Sequence, residues 1–358
     1  MAAVIRPSTL DFQTLSLYDI DVKDHTARSL EAPFSSPQEI YRLITPEMEQ
    51  VEIELLRLSA SSVSLVDHIN RYLHNSGGKR IRPAVLLLCA KMCGCSGSEA
   101  VRLGSVVELI HTATLVHDDI IDDSKVRRGR SSVNAKWGNN VTVLMGDWLY
   151  MTAFYIALEE RSFRVLDLLI DITRKMVEGE LVQLERNGRI DITEQEHLDV
   201  VSKKTAYLFS GCARLGGMAA GVQPTEEEAL AEYGFNLGMS FQLIDDMLDF
   251  TSSQAVLGKP VVNDLKEGKL TLPLIYLMKD ADPKYAAKVK SLLGSLTMDP
   301  GDVETLLQWV HEGGTLERSF RKAADYAENA RRCLECFAES SYRQALLQVP
   351  EFIVSREK

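Results

Sequence analysis

The sequence predicts an all-α protein, one large domain of roughly a dozen helices. Three observations carry that expectation. Apolar residues recur every three or four positions over long stretches, as in Leu144, Trp148, Met151 and Tyr155 between residues 141 and 186. Helix-start signals of the Ser/Thr-x-x-Glu type recur at Ser36–Glu39, Thr193–Glu196 and Thr225–Glu228. Alternating strand-like segments are scarce, and Asn187-Gly188 is the only Asn-Gly turn signal.

Taken in chain order, residues 1–35 mix Ser, Asp and Pro with little periodicity and read as a loosely ordered N-terminal arm. Ser36 then caps a helix whose first turn holds Pro37 and Glu39. A Gly77-Gly78 turn precedes a helix expected to begin at Pro83. Apolar helical runs follow over Glu108–Val116 and Phe235–Ile244, with the Thr193 and Thr225 boxes heading further helices. With 11 prolines in the chain and no Pro/Gly/Ser-rich linker after residue 40, residues 36–358 read as one domain. No short-period repeat is present.

The 358 residues are 45% hydrophobic and 25% charged, ordinary values for a globular chain. Lys and Arg number 40 against 51 Asp and Glu, a net charge of −11. That balance opposes nucleic-acid binding, which needs a basic face. At first sight it opposes an anionic substrate too. No run approaches the roughly 18 apolar residues of a spanning helix. The acidic N-terminus resembles neither a secretory signal nor a transit peptide, so a cytoplasmic location is expected. The six cysteines are expected to be reduced; Cys333-x-x-Cys336 has no matched partner pair, and no HExxH is present, so no transition-metal site is indicated.

The informative features are Asp118-Asp119-Ile120-Ile121-Asp122 and Asp245-Asp246-Met247-Leu248-Asp249, each a DDxxD at the end of an apolar helical run. On a helix, residues three and four apart share a face, so each cluster gathers its carboxylates. They repel one another, and at a helix C-terminus the dipole opposes them further. A bound cation offsets both costs. Oxygen ligands without His or Cys suit Mg²⁺, which keeps waters and takes substrate phosphate oxygens. Cations stand near both clusters: Lys125, Arg127, Arg128 and Arg130 after the first, and Lys259, Lys266 and Lys269 after the second. In Gly77-Gly78-Lys79-Arg80-Ile81-Arg82-Pro83 the glycines allow close approach, and Lys79 and Arg82 can grip an anion. Together these features describe diphosphate chemistry, with metals holding one diphosphate and cations a second.

These residues resemble the trans-isoprenyl diphosphate synthase (polyprenyl synthetase) family. The markers are collinear from about Ser36 onward: GGKRIRP, HDDIIDDSKVRRGR, GDWLY, Lys204-Thr205, FQLIDDMLDF and GKPVVNDLKEGK. The resemblance implies a helical bundle around a central cavity, the isoprenoid synthase type I fold, and a homodimer. It implies that Asp118, Asp119, Asp122, Asp245, Asp246 and Asp249 bind three Mg²⁺ ions that clamp an allylic diphosphate. Arg127, Lys204 and Lys259 match its direct cationic contacts, and Lys269 a further lysine nearby. Lys79, Arg82, His111 and Arg128 match the isopentenyl diphosphate pocket, while Thr205 and Gln242 match polar residues lining the reacting carbons. Asp264 matches an acid after the second motif. Asn263 departs from the family, where many relatives carry a second Asp.

Chain length is expected to be set below the first cluster. Thr114 and Ala113 lie about one turn, or 5.4 Å, before Asp118. Short-chain members that resemble this protein carry aromatic residues there; both are small here, so a growing chain could pass. The HTATLVHDD wording looks most like long-chain synthases, octaprenyl diphosphate synthases in particular. Leu166 and Leu169 are candidates for the tunnel's end. His117 is expected to be a hydrogen-bonded helix histidine rather than an acid–base group. Three other readings are a shorter-chain synthase, a terpene cyclase and a regulatory subunit. Cyclases lack the Lys79, Arg82 and Arg128 grip, and regulatory subunits have eroded aspartate motifs. No basic amphipathic helix suits an anionic membrane, so at most a transient membrane contact is expected for product release.

Overall fold

A computed structural model describes residues 34–58, 60–251, 262–279, 283–295 and 298–355. Nearly all of the expected arm, and Lys259, lie outside these residues. The helices are α1 (Pro37–Arg42), α2 (Thr45–Leu58), α3 (Ser64–His74), α4 (Ile81–Met92), α5 (Glu99–Ile121), α6 (Val133–Trp137), α7 (Asn139–Glu159), α8 (Phe163–Arg186), α9 (Glu194–Val201), α10 (Tyr207–Ala220) and α11 (Pro224–Thr251). After them come α12 (Asn263–Lys266), α13 (Leu272–Lys279), α14 (Pro283–Leu292), α15 (Pro300–Glu312), α16 (Thr315–Cys333) and α17 (Ser341–Val354). The strands among the described residues, Val126–Arg127 (β1) and Arg130–Ser131 (β2), form one antiparallel ribbon. Its turn holds Arg128 and Gly129 at φ 52° and 72°. Positive φ at both central residues is what a two-residue hairpin turn demands.

Local signals account for several helix starts, with side-chain caps from Ser162, Thr193, Asp299 and Ser340. The Thr193 box is complete: its hydroxyl accepts from the Glu196 N–H, and the Glu196 carboxylate accepts from the Thr193 N–H at 2.9 Å. The other two differ. Glu39 accepts from Ser35, not from Ser36. The box expected at Thr225 lies two residues earlier, where the Gln223 N–H donates to Glu226 at 3.0 Å and Pro224 opens the helix. Proline's fixed φ and missing donor suit a first turn, which draws the start to Pro224. For the same reason Pro83 sits inside the first turn of α4, which begins at Ile81 after Arg80 in the left-handed region.

One continuous core runs from Ile40 to Ile353. α4 is buried on every side from Pro83 to Ala90, as a helix apolar all round must be. It packs between α5 and α10, and α10 in turn packs on α11. There the backbones nearly touch: a Cβ at Gly234 would lie 2.3 Å from the Phe209 carbonyl oxygen. These contacts bring the C-terminal ends of α5 and α11, which carry the two acidic clusters, to the same site.

α7 and α8 leave an apolar face uncovered. Leu144, Met151, Tyr155 and Leu158 on α7, and Phe163, Ile170, Val177 and Leu181 on α8, are exposed, Met151 at 64% and Phe163 at 81%. The apolar stripe read from the sequence is therefore the exposed face of α7, with only Trp148 of its four residues half-buried. α7 is long and apolar enough by composition to cross a membrane, with mean hydropathy 1.4 over its apolar window, yet Thr142, Gly146, Asp147 and Thr152 interrupt it, so it is not an unbroken apolar run. Asp147 lies in its middle, and its other face packs against α5.

Candidate active site

The first acidic cluster closes α5, with Asp122 as its C-cap. Its three carboxylates do not share one environment. Asp119 is 2% exposed and accepts from Arg127 Nε at 2.7 Å. Asp118 and Asp122 keep accessible surface. Burial pushes the Asp118 carboxyl up to about 6, against the pull of Lys204 and with Glu180 and Asp122 adding to the rise. Asp122 Oδ1 lies 3.3 Å from Lys269 Nζ.

The second cluster repeats the pattern in the last turns of α11. Asp246 is 7% exposed, and both its oxygens are taken: Gln242 Nε2 donates to Oδ1 at 2.9 Å, and His197 Nε2 lies 3.1 Å from Oδ2. Asp245 is exposed and Asp249 half-buried. Asp249 Oδ2 accepts from the Asp264 N–H at 3.0 Å. Burial, then Asp246 and Asp249, push the Asp264 carboxyl well above its usual range. The expected set of six equivalent metal carboxylates thus divides. In each motif the middle aspartate faces inward and braces the helix end, because its position on the helix turns it from solvent toward the neighbouring elements.

Lys204 and Thr205 lie in a π-helical turn, Ser202–Ala206, between α9 and α10. Such single wide turns are frequent at functional sites. Lys204 Nζ is 2.6 Å from Glu180 on α8. Thr205 donates to Gln242 Oε1 at 2.8 Å, so a relay Thr205–Gln242–Asp246–His197 joins this turn to the second motif. Lys269, held 2.6 Å from Glu267, crosses from the second motif to Asp122 in the first. Burial alone would lower its ammonium; Asp122 and Glu267 outweigh that and hold it above the ordinary range.

A second, more basic region adjoins α5. Arg82 Nη1 is 3.0 Å from His111 Nε2, and its guanidinium stacks over Phe209 at 4.9 Å. Burial, then Arg82, Arg128, Arg127 and Arg80, hold the His111 imidazole well below its usual range, so it is neutral and accepts from Arg82. The Arg82 Nε is buried without a protein partner, a donor that an anion could satisfy. A cleft beside α5 is lined by Gly77, Arg80, Glu108, Thr112, Arg127 and Arg128. Arg128 donates to the Gly77 carbonyl.

Below the first cluster, Ala113 has no exposed surface and packs in the core. Only Thr114 keeps accessible surface, its hydroxyl bonded to the His111 carbonyl at 2.7 Å. Leu169 is likewise wholly core. His117 reaches the Val143 carbonyl at 3.1 Å, the hydrogen-bonded helix role expected for it.

The polyprenyl synthetase family profile matches residues 63–310. The chain belongs to the polyprenyl synthetase family. It is 36% identical to octaprenyl diphosphate synthase from Escherichia coli, over 90% of this chain and 99% of that one. Identity is also 36% to geranylgeranyl diphosphate synthase from Methanosarcina mazei, over 80% and 89% of the two chains. A polyprenyl synthase from Caulobacter crescentus, crystallised with calcium and isoprenyl diphosphate, superposes with a TM-score of 0.85 at 34% identity, covering 90% of this chain and 98% of that one. The protein is accordingly a prenyltransferase, a trans-prenyl diphosphate synthase with the all-α fold of that family, whose substrates are allylic and isopentenyl diphosphates and whose diphosphate binding uses a divalent metal.

The donor set fits that metal. Asp118, Asp122, Asp245 and Asp249 offer only oxygen, and among the described residues no three ligating side chains converge enough to chelate an ion alone. Mg²⁺ held by one or two carboxylates, with waters and phosphate oxygens completing its shell, matches such a site. Glu180 and His197 are site groups that no motif in the sequence marked, and Glu267, though inside the GKPVVNDLKEGK segment, was given no role there. Glu180 and His197 reach the site from separate elements, so their only signal is spatial.

Proposed function

We propose that this synthase makes a long-chain product of about C35–C50, with octaprenyl diphosphate favoured, by extending farnesyl or a similar allylic diphosphate, for quinone side chains. The observation that carries this reading is Thr114: a small, half-buried residue one turn below Asp118, where an aromatic ring would floor the cavity. The similarity to the Escherichia coli octaprenyl enzyme supports it. Residues 36–358 act as one catalytic domain, in keeping with the continuous core.

The outward carboxylates Asp118, Asp122, Asp245 and Asp249 hold Mg²⁺, three ions per site, with Asp119 and Asp246 bracing them. Bound Mg²⁺ supplies charge neutralisation of the allylic diphosphate as it departs. Lys204, Arg127, Lys259 and Lys269 bind that same group, so the allylic C–O bond ionises toward them. Lys79, Arg82, Arg128 and the neutral His111 hold isopentenyl diphosphate with its double bond facing the cation. Thr205 and Gln242 line the reacting carbons with oriented dipoles. New C–C bond formation is followed by loss of a proton to the released diphosphate, which requires no side-chain base. The apolar helix walls keep water from the cation.

A homodimer is part of this reading. The exposed residues of α7 and α8 follow spacings of seven, four and three, a seam that a second copy can match by two-fold symmetry. Asp167, Asp171, Glu178 and Glu185 interleave with the α8 residues, alongside Arg174 and Lys175, which pair with Asp171 and Glu178, so α8 presents no net basic face to an anionic membrane.

The test is product mass after incubation with farnesyl diphosphate, labelled isopentenyl diphosphate and Mg²⁺. Products in the C35–C50 range are expected. A product that stops at C20 refutes the chain-length reading, and no labelled prenyl product from folded protein refutes the condensation itself.

A further inference from the structure

The Gly77–Arg82 turn carries two cations of the isopentenyl diphosphate subsite, yet the arginine between them faces elsewhere. Arg80 Nε donates to Glu52 Oε1 at 2.6 Å, Nη2 to Glu52 Oε2 at 3.3 Å, and Nη1 to Glu108 Oε1 at 2.8 Å. All three guanidinium nitrogens are committed to carboxylates, and the side chains of Arg80 and Glu108 are only 12% and 5% exposed. Burial disfavours the guanidinium charge, but Glu52 and Glu108 outweigh it and hold Arg80 firmly charged. Its backbone is in the left-handed region at φ 49°, a strained conformation for a residue with a side chain. The same turn is held at two further points. The Tyr41 hydroxyl donates to the Lys79 carbonyl at 2.5 Å, and Arg128 donates to the Gly77 carbonyl. Gly78 leaves room for this, since a Cβ there would lie 3.1 Å from Arg80 Nη1 and 2.8 Å from Arg128 Nη1.

We propose that Arg80 is a positioning residue: its double ion pair with Glu52 of α2 and Glu108 of α5 holds the turn so that Lys79 and Arg82 meet the isopentenyl diphosphate as a pre-formed pair. This rests on the reading that Lys79 and Arg82 bind that substrate. A neutralised arginine adds little attraction for an anion; its contribution is the geometry of its neighbours. A turn left loose would have to be ordered by the substrate itself, which weakens binding without slowing the step after binding.

The experiment is steady-state kinetics on Arg80→Lys, Glu52→Gln and Tyr41→Phe, with both substrates varied. Lysine keeps the charge but cannot span two carboxylates. Each variant is expected to raise the KM for isopentenyl diphosphate, about fivefold or more for Arg80→Lys and Glu52→Gln and less for Tyr41→Phe, with kcat and the allylic KM within about twofold. Tyr41→Phe removes one hydroxyl and keeps the test available should the ion-pair variants not fold. Equal rises in both KM values, or an unchanged isopentenyl diphosphate KM in folded variants, would overturn the clamp. A wild-type protein that does not consume isopentenyl diphosphate would instead sink the reading of Lys79 and Arg82, and the proposal with it.

Discussion

Gly179→Ala should disable the site without replacing any residue that contacts substrate. Gly179 lies where α8 crosses the π-helical turn Ser202–Ala206. A Cβ at this position would sit 2.7 Å from Lys203 Cβ and 3.1 Å from both Lys204 Cγ and the Lys204 backbone nitrogen. Relaxed carbon contacts need about 3.5–4.0 Å, so the two elements must separate by about 1 Å. Lys203 Cβ and the Lys204 nitrogen move only with the backbone, so rotating the Lys204 side chain relieves one of the three contacts and leaves the tightest in place. The π turn itself has to move, carrying the Lys204–Glu180 and Thr205–Gln242 contacts with it. Overpacking of this kind costs about 1–3 kcal/mol of stability. A misplacement of about 1 Å in groups that orient a reaction costs about 100-fold in rate, or about 2.7 kcal/mol. The assay is condensation of an allylic diphosphate with isopentenyl diphosphate at saturating Mg²⁺, alongside thermal melting. The expected result is kcat lowered about 100-fold, with the isopentenyl diphosphate KM held within about threefold, because Lys79, Arg82 and His111 lie on other elements. A folded variant with kcat within about threefold of wild type would refute the reasoning that this turn places Lys204 and Thr205.

Asp118→Ala and Asp245→Ala should each lower kcat by about 100- to 1,000-fold, the scale of losing a key electrostatic group, and near-normal turnover in either would contradict the metal clamp. Asp118 titrates near 6, raised by burial from the ordinary 3.8. Mg²⁺ must displace its proton below that point, so the pyrophosphate-dependent affinity for Mg²⁺ should fall by up to about tenfold per pH unit below 6; a flat profile from pH 5 to 7 would exclude this. The raised Asp118 contributes stability that is full below 3.8 and lost as pH rises through 6, so in EDTA any melting advantage of the wild type over Asp118→Ala should shrink between pH 4 and pH 7. Thr114→Phe should shorten the product while turnover persists, read by product mass. Met151→Glu should leave the fold intact and give a monomer by sedimentation, since it places charge in the exposed seam.

Much of this site was legible in the sequence because its chemistry is written in local spacing. The two DDxxD clusters, the Gly77–Arg82 turn and the Lys204-Thr205 pair are each contiguous, and helical geometry alone predicts which carboxylates gather. Which member of each cluster turns inward was not legible. Asp119 is drawn in by Arg127 from a hairpin and Asp246 by His197 from α9, neither at a helical spacing from its acid, although Gln242, four residues before Asp246, also bonds it. The π turn was hidden for a related reason: one extra residue per turn leaves no compositional mark. Ala113 shows the limit of counting back from a motif. Four and five residues before Asp118 both lie one turn below it, yet the packing of α5 buries Ala113 completely and leaves Thr114 accessible.

Some of the acidic residues in this diphosphate-binding protein serve to hold its cations in place. Lysines near a cluster of carboxylates, with long flexible stems, would otherwise be free to collapse onto the motif acids and compete with Mg²⁺. Here Lys204 is held by Glu180, outside both motifs, whereas Lys269 is divided between Glu267 and the motif acid Asp122. A diphosphate that takes Lys204 therefore exchanges one oxyanion for another around an ammonium already in place, and the ordering of that side chain is complete before the substrate arrives. Such carboxylates raise the count of acidic residues without opposing the substrate, since each is neutralised by the cation it holds. On that reasoning Glu180→Gln should loosen Lys204 while sparing every motif residue. Removing the competing charge should tighten inorganic pyrophosphate, and losing the preset geometry should lower kcat. Weaker pyrophosphate binding together with an unchanged kcat would show that Glu180 is only a neighbour of the site.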